Sequence, residues 1–521
     1  MQTNDTTARD RVYERRWWTL AVLSLSLVII GLDNTVLNVE LPTLQRTFHA
    51  TAAELQWMVD AYVLVFAGLL LTMGALGDRF GRARALQVGL VIFAVSSIAA
   101  TLSTEAIHLI AARIAMGVGG ALIMPSTLSI IANVFPPAER VKAITIWAGV
   151  SGLGVGLGPL IGGLLIENFD WAAVFLLNVP IALIALVLGF FLVPESRDPS
   201  GAPLDLPGAA LSIAGVSALV YGIIEAPASG WTDPLILASF GVAIVLGIAF
   251  AWRETHTAHP MLDLSLFRDP RFTAGAGAIA LTFFALFGVI FGLTQYLQFV
   301  LGKSALEAGT IMVSLAIGMP LGARISLKAG EHIGVRRSMG AALIGVAVLL
   351  LTVTRWSPTT DPLIVAVTLF FMALCLANVM APATGTVMSA VPEAKAGVGS
   401  AMNDLLRQLG GALGVAIIGS VMNTVYRDRI GDALVGLPPQ AADAAGDSVG
   451  AAVAIANQVG GVIGETLATT ARAAFVDGLG AAAVVGAAVA VATSLFVLRR
   501  MPRAVPTAAD HGLAPAATLH G

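Results

Sequence analysis

The chain predicts an all-α integral membrane protein with fourteen spanning helices, arranged as two six-helix bundles with two extra helices between them. Three observations lead there. Hydrophobic residues fill 57% of the 521 positions and charged residues 12%, with a mean hydropathy of +0.86, a balance foreign to soluble globular chains. About fourteen apolar stretches approach the length that crosses a hydrocarbon core of about 30 Å. A polar motif, GDRFGRAR at 77–84, returns in degenerate form as GEHIGVRR at 330–337. Gly77 matches Gly330, Asp78 Glu331, Gly81 Gly334 and Arg84 Arg337, so each half carries one loop between its second and third spans. Halves of this kind, related by an axis along the membrane normal, hold substrate between them near the midplane.

The first six spans read as 18–38, 56–76, 84–103, 107–132, 141–166 and 172–193. The polar run PESRDPSGAPLD (194–205) interrupts them. Two accessory spans follow near 207–226 and 234–252, then a hydrophilic connection from Arg253 to Arg271. Six more spans read as 272–293, 306–327, 337–354, 362–386, 398–423 and 475–498. The expected organisation is a cytoplasmic tail (1–17), a first bundle (18–193), a linker with the accessory spans (194–271), a second bundle (272–498) and a disordered cytoplasmic tail (499–521). Residues 449–463 are apolar but short and dominated by Ala and Gly. A fifteenth span there would carry Arg499, Arg500 and Arg503 outside, so 424–474 is expected as a long outer loop, with room for a hairpin resting on the membrane surface.

Charge sets the orientation. With the N-terminus inside, twenty of the 29 Lys and Arg face the cytoplasm and six the outside, leaving Arg113, Arg324 and Arg407 at membrane depth. That asymmetry fits the positive-inside rule and places both termini in the cytoplasm. Arg9, Arg11, Arg15 and Arg16 precede the first apolar run, and no small-residue cleavage site follows it. The single cysteine, Cys375, reads as core filler. No basic tract suggests nucleic acid. No nucleophile–base pair, metal-ligand spacing or phosphate loop suggests an enzyme, a cofactor or ATP.

The chemistry concentrates in LDNTVLNVELP, residues 32–42. A carboxylate inside a spanning helix costs about 2.5–3.5 kcal/mol on insertion scales, so it is retained where it faces protein or water. Asp33 and Glu40, seven residues apart, project from one face, flanked by Asn34 and Asn38. Asp33 reads as a proton or cation site, against a structural acid bonded to neighbouring hydroxyls. Glu40 reads as a rim residue. Asp60 sits near the outer end of the second span, as a charge selector or a solvated acid. Arg113 reads either as a snorkelling residue or as the neighbour of Asp33. Asp404 and Arg407, three apart, are placed to pair with each other. Glu225 reads as an outer-surface acid.

LDNTVLNVELP, with Asp33, Thr35, Asn38 and Pro42 in register, resembles the first-helix signature of the major facilitator superfamily's fourteen-helix drug:proton antiporter branch. GALGDRFGRARAL (74–86) resembles the superfamily's loop signature, LIAARIAMGVGGA (109–121) its fourth-helix signature around Arg113, and GVGLGPLIGG (154–163) the antiporter signature of the fifth helix. WAAVFLLNVP (171–180) is similar to the start of the sixth. Departures are Glu40 for a small residue, Met116 for Gln and Ala172 for Arg. QWMVDAYVLVFAG (56–68), carrying Asp60, resembles the quaternary-ammonium exporters, whose acid in the tenth helix is missing here.

The resemblance implies a proton-coupled multidrug efflux antiporter. It would be a monomer of the inner (plasma) membrane, moving small amphiphilic, often cationic compounds against protons. Proton coupling falls on Asp33, Arg113 and Asp60, and substrate binding on Asp60, Trp57, Tyr62, Asn34, Asn38 and Asp404. Gating falls on Gly77, Asp78, Arg79, Gly81 and Arg82 in the loop, and on Gly154, Gly158, Pro159, Gly162 and Gly163 in the fifth helix. Asp78 is expected to dock on the helix beginning near Gly397 and latch the cytoplasmic side. Rival readings are an exporter of an endogenous lipid or secondary metabolite, and a sensor on a transporter scaffold.

Overall fold

The computed structural model describes residues 2–50, 52–199 and 203–502, apart from the side chains at 2–12, 38, 39, 42, 46, 52, 53, 155, 159, 166, 228, 289 and 305. The first bundle comprises α1 (Gln2–Phe48), α2 (Ala52–Phe80), α3 (Arg82–Thr101), α4 (Ala106–Val134), α5 (Pro137–Asn168) and α6 (Ala172–Leu192). The accessory pair is α7 (Leu206–Ser229) and α8 (Pro234–His256). The second bundle comprises α9 (Pro270–Gln295), α10 (Ala305–Ile333), α11 (Val335–Val353), α12 (Pro362–Ala390), α13 (Ala396–Ile430) and α16 (Gly461–Arg500). Two short helices, α14 (Pro439–Asp447) and α15 (Val449–Val459), precede α16. Among the described residues fourteen helices, α1–α13 and α16, are long and apolar enough to cross a membrane.

Burial separates central helices from peripheral ones. In its most apolar stretch α4 is 83% buried and α8 only 11%. Thus α4 lies at the heart of the first bundle, and α8 presents its sides to lipid. The accessory helices pack on each other, while α7 also lies against α2 and α13. The two bundles meet chiefly where α5 packs on α10 and α2 on α13. A Cβ on Gly156 would stand 2.9 Å from the Ala316 backbone nitrogen. Only a residue without a side chain allows that close approach.

The repeated loops share a backbone. Gly81 (φ 121°) precedes α3 and Gly334 (φ 82°) precedes α11, a conformation that only glycine adopts readily. Their side chains diverge. Asp78 pairs with Arg82 at 2.7 Å, whereas Glu331 is exposed. The accessory pair is tied at its base by Asp205, which caps α7 through Gly208 N (3.1 Å) and binds Arg253 on α8 (3.0 Å). Burial pushes the Asp205 carboxyl up, but the Arg253 and Gly208 bonds outweigh it and hold the group below the usual carboxylate range.

Two stretches differ from expectation. Residues 2–17 are helical and continuous with the first span, α1 running back to Gln2. Residues 424–474 are largely helical: α13 continues to Ile430, α14 and α15 follow, and α16 begins at Gly461. Tyr426 OH donates to Ala445 O at 2.8 Å, Arg427 pairs with Asp447 at 2.5 Å, and α15 packs on α16. Hydropathy registers only the part of a helix that crosses the membrane, so extensions beyond it go unseen. The expected disorder of 499–521 meets a helix up to Arg500, and 503–521 lie outside the described residues.

Alanine at either loop glycine should lower stability by about 1–3 kcal/mol, the range for strained backbone. Gly81→Ala should do so more than Gly334→Ala. A Cβ at Gly81 meets the Glu195 carboxylate at 2.6 Å, displacing an acid that accepts from Ala83 N (3.1 Å) and Arg84 N (3.3 Å), while nothing lies within 4 Å of one at Gly334. Thermal unfolding of the two purified variants checks the order; equal shifts would show that Glu195 yields freely.

Candidate functional site

α1 carries the first acid, and α5 is shaped to approach it. A Cβ on Gly154 would lie 3.1 Å from Gly31 Cα and one on Gly162 3.2 Å from a Val36 methyl, while Gly158 faces the Thr35 hydroxyl. Glycine at every fourth position thus makes a groove that receives α1. Gly163 is buried beside it, and the Pro159 side chain lies outside the described residues.

Asp33 is 3% exposed. Its Oδ2 receives Arg113 Nη1 of α4 at 2.5 Å, and its Oδ1 faces Asn178 Nδ2 of α6 at 3.4 Å. Arg113 is itself 1% exposed, donates Nε to Met58 O at 3.0 Å, and lies 4.3 Å above the Tyr62 ring. The arginine therefore does not snorkel. Tyr62 in turn stacks on Phe66 at 5.6 Å. Four helices converge on one ion pair, and Tyr62, expected on a substrate wall, serves here as a fully buried platform for the guanidinium.

Asp60 and Trp57 face a different neighbour. Trp57 stacks on Tyr221 of α7 at 6.4 Å. Asp60 is half-buried, bonded to Gln56, and within electrostatic reach of Glu225 on α7. Glu225, expected at the outer surface, is thus half-buried at the α2–α7 seam. Asn34 is half-buried next to Asp33; the Asn38 side chain lies outside the described residues. Glu40, expected at the rim, is fully buried.

The second bundle holds a matching pair. Asp404 is 1% exposed, 3.7 Å from Arg407, and accepts from Asn403 Nδ2 at 3.2 Å. Arg407 reaches across to Ser151 Oγ on α5 at 3.2 Å and lies 4.7 Å from the Phe283 ring. Nothing in the sequence pointed to Ser151, because the contact joins residues 256 positions apart.

At the end of the molecule that carries the repeated loops, Asp78 closes the seam. Its Oδ1 accepts from Gly397 N (2.8 Å) and its Oδ2 from Val398 N (3.1 Å), the free donors of the first turn of α13. Arg82 Nη2 donates to Glu393 O (2.7 Å) and Ala394 O (3.1 Å), and Arg140 pairs with Glu393 at 2.6 Å. Gly77 lies against α3, where a Cβ would touch Ala85 at 3.4 Å. Two cavities of about 280 and 190 Å³ sit at this latch; the smaller is lined by Asp78, Arg79, Asp198, His259 and Lys395. Neither reaches Asp33 or Asp60.

Comparison with known proteins gives the family. The Major Facilitator Superfamily pattern matches residues 23–415. The chain belongs to the major facilitator superfamily. Among its relatives in the superfamily is the multidrug efflux pump LfrA of Mycolicibacterium smegmatis, 38% identical over 495 residues, covering 94% of this chain and 97% of that protein. The tetracenomycin C resistance and export protein of Streptomyces glaucescens is 35% identical, covering 94% and 93%. The methyl viologen resistance protein SmvA of Salmonella typhimurium is 34% identical, covering 89% and 93%. The fold matches the human organic anion transporter TETRAN with a TM-score of 0.60 at 16% identity, covering 94% of this chain and 99% of that one.

Within this major facilitator chain the structure brings Asp33, Arg113 and Tyr62 together, adds Asn178, and leaves Asp60 with Trp57 and Asp404 with Arg407 as separate groups. Removing one partner of a buried ion pair strands the other charge at a penalty of about 3–5 kcal/mol. Arg113→Gln and Asp33→Asn should each lower thermal stability, and the double variant should recover much of the loss. Strictly additive shifts would show that the two charges are not coupled.

Proposed function

We propose that this protein is a proton-driven exporter of small amphiphilic, often cationic compounds, and that protonation of Asp33 drives the conformational cycle. The carrying observation is the Asp33–Arg113 pair, shut away from solvent in the membrane-spanning core and built across four helices. A proton on Asp33 cancels the attraction to Arg113 and lets the helices that meet there shift. The glycine groove passes such a shift from α1 to α5, which forms the seam with α10. The relatives' names, which speak of efflux, resistance and export, support the direction of transport. Positive-inside asymmetry supports a cytoplasmic latch face and cytoplasmic termini; on this reading the chain works as a monomer in the inner (plasma) membrane and moves its cargo without chemistry on it. Asp60 with Trp57 and Tyr221 offers a charged, aromatic patch for cations. Likeness to the tetracenomycin C protein supports export of a secondary metabolite as a second reading of the same machinery.

Asp33→Asn in proteoliposomes should abolish efflux of an ethidium-like dye driven by a pH gradient. It should leave exchange of labelled for unlabelled dye, which moves no net proton, within a few-fold of wild type. Gradient-driven efflux at the wild-type rate with unchanged pH dependence would overturn the assignment.

Asp78→Asn should shift the population towards an open latch face. Dye affinity in detergent then changes only by the fraction of competent protein, while thiol labelling of Ala75→Cys, a buried position lining the smaller latch cavity, rises in a Cys375→Ser background. Lost binding with unchanged labelling would assign Asp78 to holding the fold.

A further inference from the structure

Glu40 has a burial that the Asp33 site does not explain. It is 0% exposed, and neither of its carboxylate oxygens has a hydrogen-bond partner. Other buried acids are at least partly satisfied: Asp33 and Asp78 are ion-paired, Asp205 binds Arg253, and Asp404 and Glu254 each bond through one oxygen. An ionised carboxylate left unpaired in such a place is so costly that the group takes its neutral, protonated form. Buried groups without partners are rare enough that each one calls for a reason.

Position supplies the reason. Seven residues separate Glu40 from Asp33 on one helix, which places it on the same face and about 10 Å farther from the latch. The charges that act on Glu40 are Asp170, just before α6, and Asp33. Asp170 is exposed. On the helices packed on α1 the other ionisable groups are His108 and Arg113 on α4, with Glu105 just before it; Glu139, Arg140, Lys142 and Glu167 on α5; and Glu54, Asp60, Tyr62, Asp78 and Arg79 on α2. Arg113 is taken by Asp33, and Glu139 by Arg16 at the latch end. Surface acid, buried neutral acid and ion-paired acid therefore follow one another from the far face inward.

We propose that Glu40 is a second proton-binding site, which receives protons from the face opposite the latch and hands them on to Asp33. The inference rests on the proton-driven reading above. Each transfer moves one proton from the Glu40 carboxyl to an Asp33 oxygen, through water admitted when that face opens. It leaves a Glu40 carboxylate that the Asp170 side reprotonates.

The test combines spectroscopy with transport. Infrared difference spectra of the purified full-length protein at neutral pH should contain a protonated-carboxyl C=O band that disappears in Glu40→Gln. In proteoliposomes, gradient-driven dye efflux by Glu40→Gln should fall by about tenfold to a hundredfold, at or below what a positioned proton carrier contributes. Its dependence on the pH of the face opposite the latch should flatten. Labelled-for-unlabelled dye exchange should remain unchanged, and Glu40→Asp should restore part of the pH response. Glu40→Ala gives a second variant should Glu40→Gln fold poorly. A carboxyl band that survives in Glu40→Gln, or an unaltered pH profile in both substituted proteins, overturns the proposal. Wild-type efflux indifferent to the gradient would overturn the proton-driven reading instead, and the infrared result would still report whether Glu40 holds a proton.

Discussion

A charge inside hydrocarbon must find an opposite charge or a set of hydrogen bonds, and the first bundle is organised by how Asp33 meets that demand. Arg113 supplies the counter-charge, and its planar fork has donors to spare. One goes to Asp33 and another to the Met58 carbonyl, while the Tyr62 ring supports the flat face. α1, α2 and α4 are therefore tied together by one arginine, and Asn178 brings α6 to the same pair through Asp33. In the proposed cycle this pair is the element that a proton would switch, because it removes the charge that Arg113 is placed to meet.

A second device joins the bundles. Asp78 does for α13 what a capping residue does within one helix, satisfying its first free N–H groups and meeting the positive end of its dipole. The chain around the accessory helices covers that contact: Ser196 O accepts from Arg82 N at 2.9 Å, and Lys395 Nζ donates to Pro260 O at 2.9 Å. The repeat gave both halves the same glycine turn, yet among the described residues only the first copy is latched in this way. α5 connects the two devices, facing α1 through its glycines, α10 across the seam, and Arg407 through Ser151.

The accessory helices stand outside both bundles, and α7 still alters the chemistry beside it. Its Tyr221 and Glu225 turn what would be an isolated acid and indole on α2 into a joint surface of two acids and two aromatic rings. α8, mostly lipid-facing, contributes the arginine that pins the base of α7.

Spans, repeat and family-like motifs were legible in the sequence because each is a local property. A run of apolar residues has to cross the bilayer as a helix, since only a helix satisfies its own backbone there. A Gly-Asp-Arg turn reads the same wherever it packs. Asp33, Asp78 and Arg113 stood out for the same reason, as charges in apolar company. Tertiary structure alone decided the partners. Asn178 lies 145 positions from Asp33 and Ser151 256 from Arg407, and no spacing rule links residues that far apart. It also decided burial. Glu40 lies at the far end of its span, where hydropathy suggests a wet rim, yet the helices packed around α1 close over it. Which side of a helix meets water depends on what lies beside it, and a sequence states that only once the chain has folded.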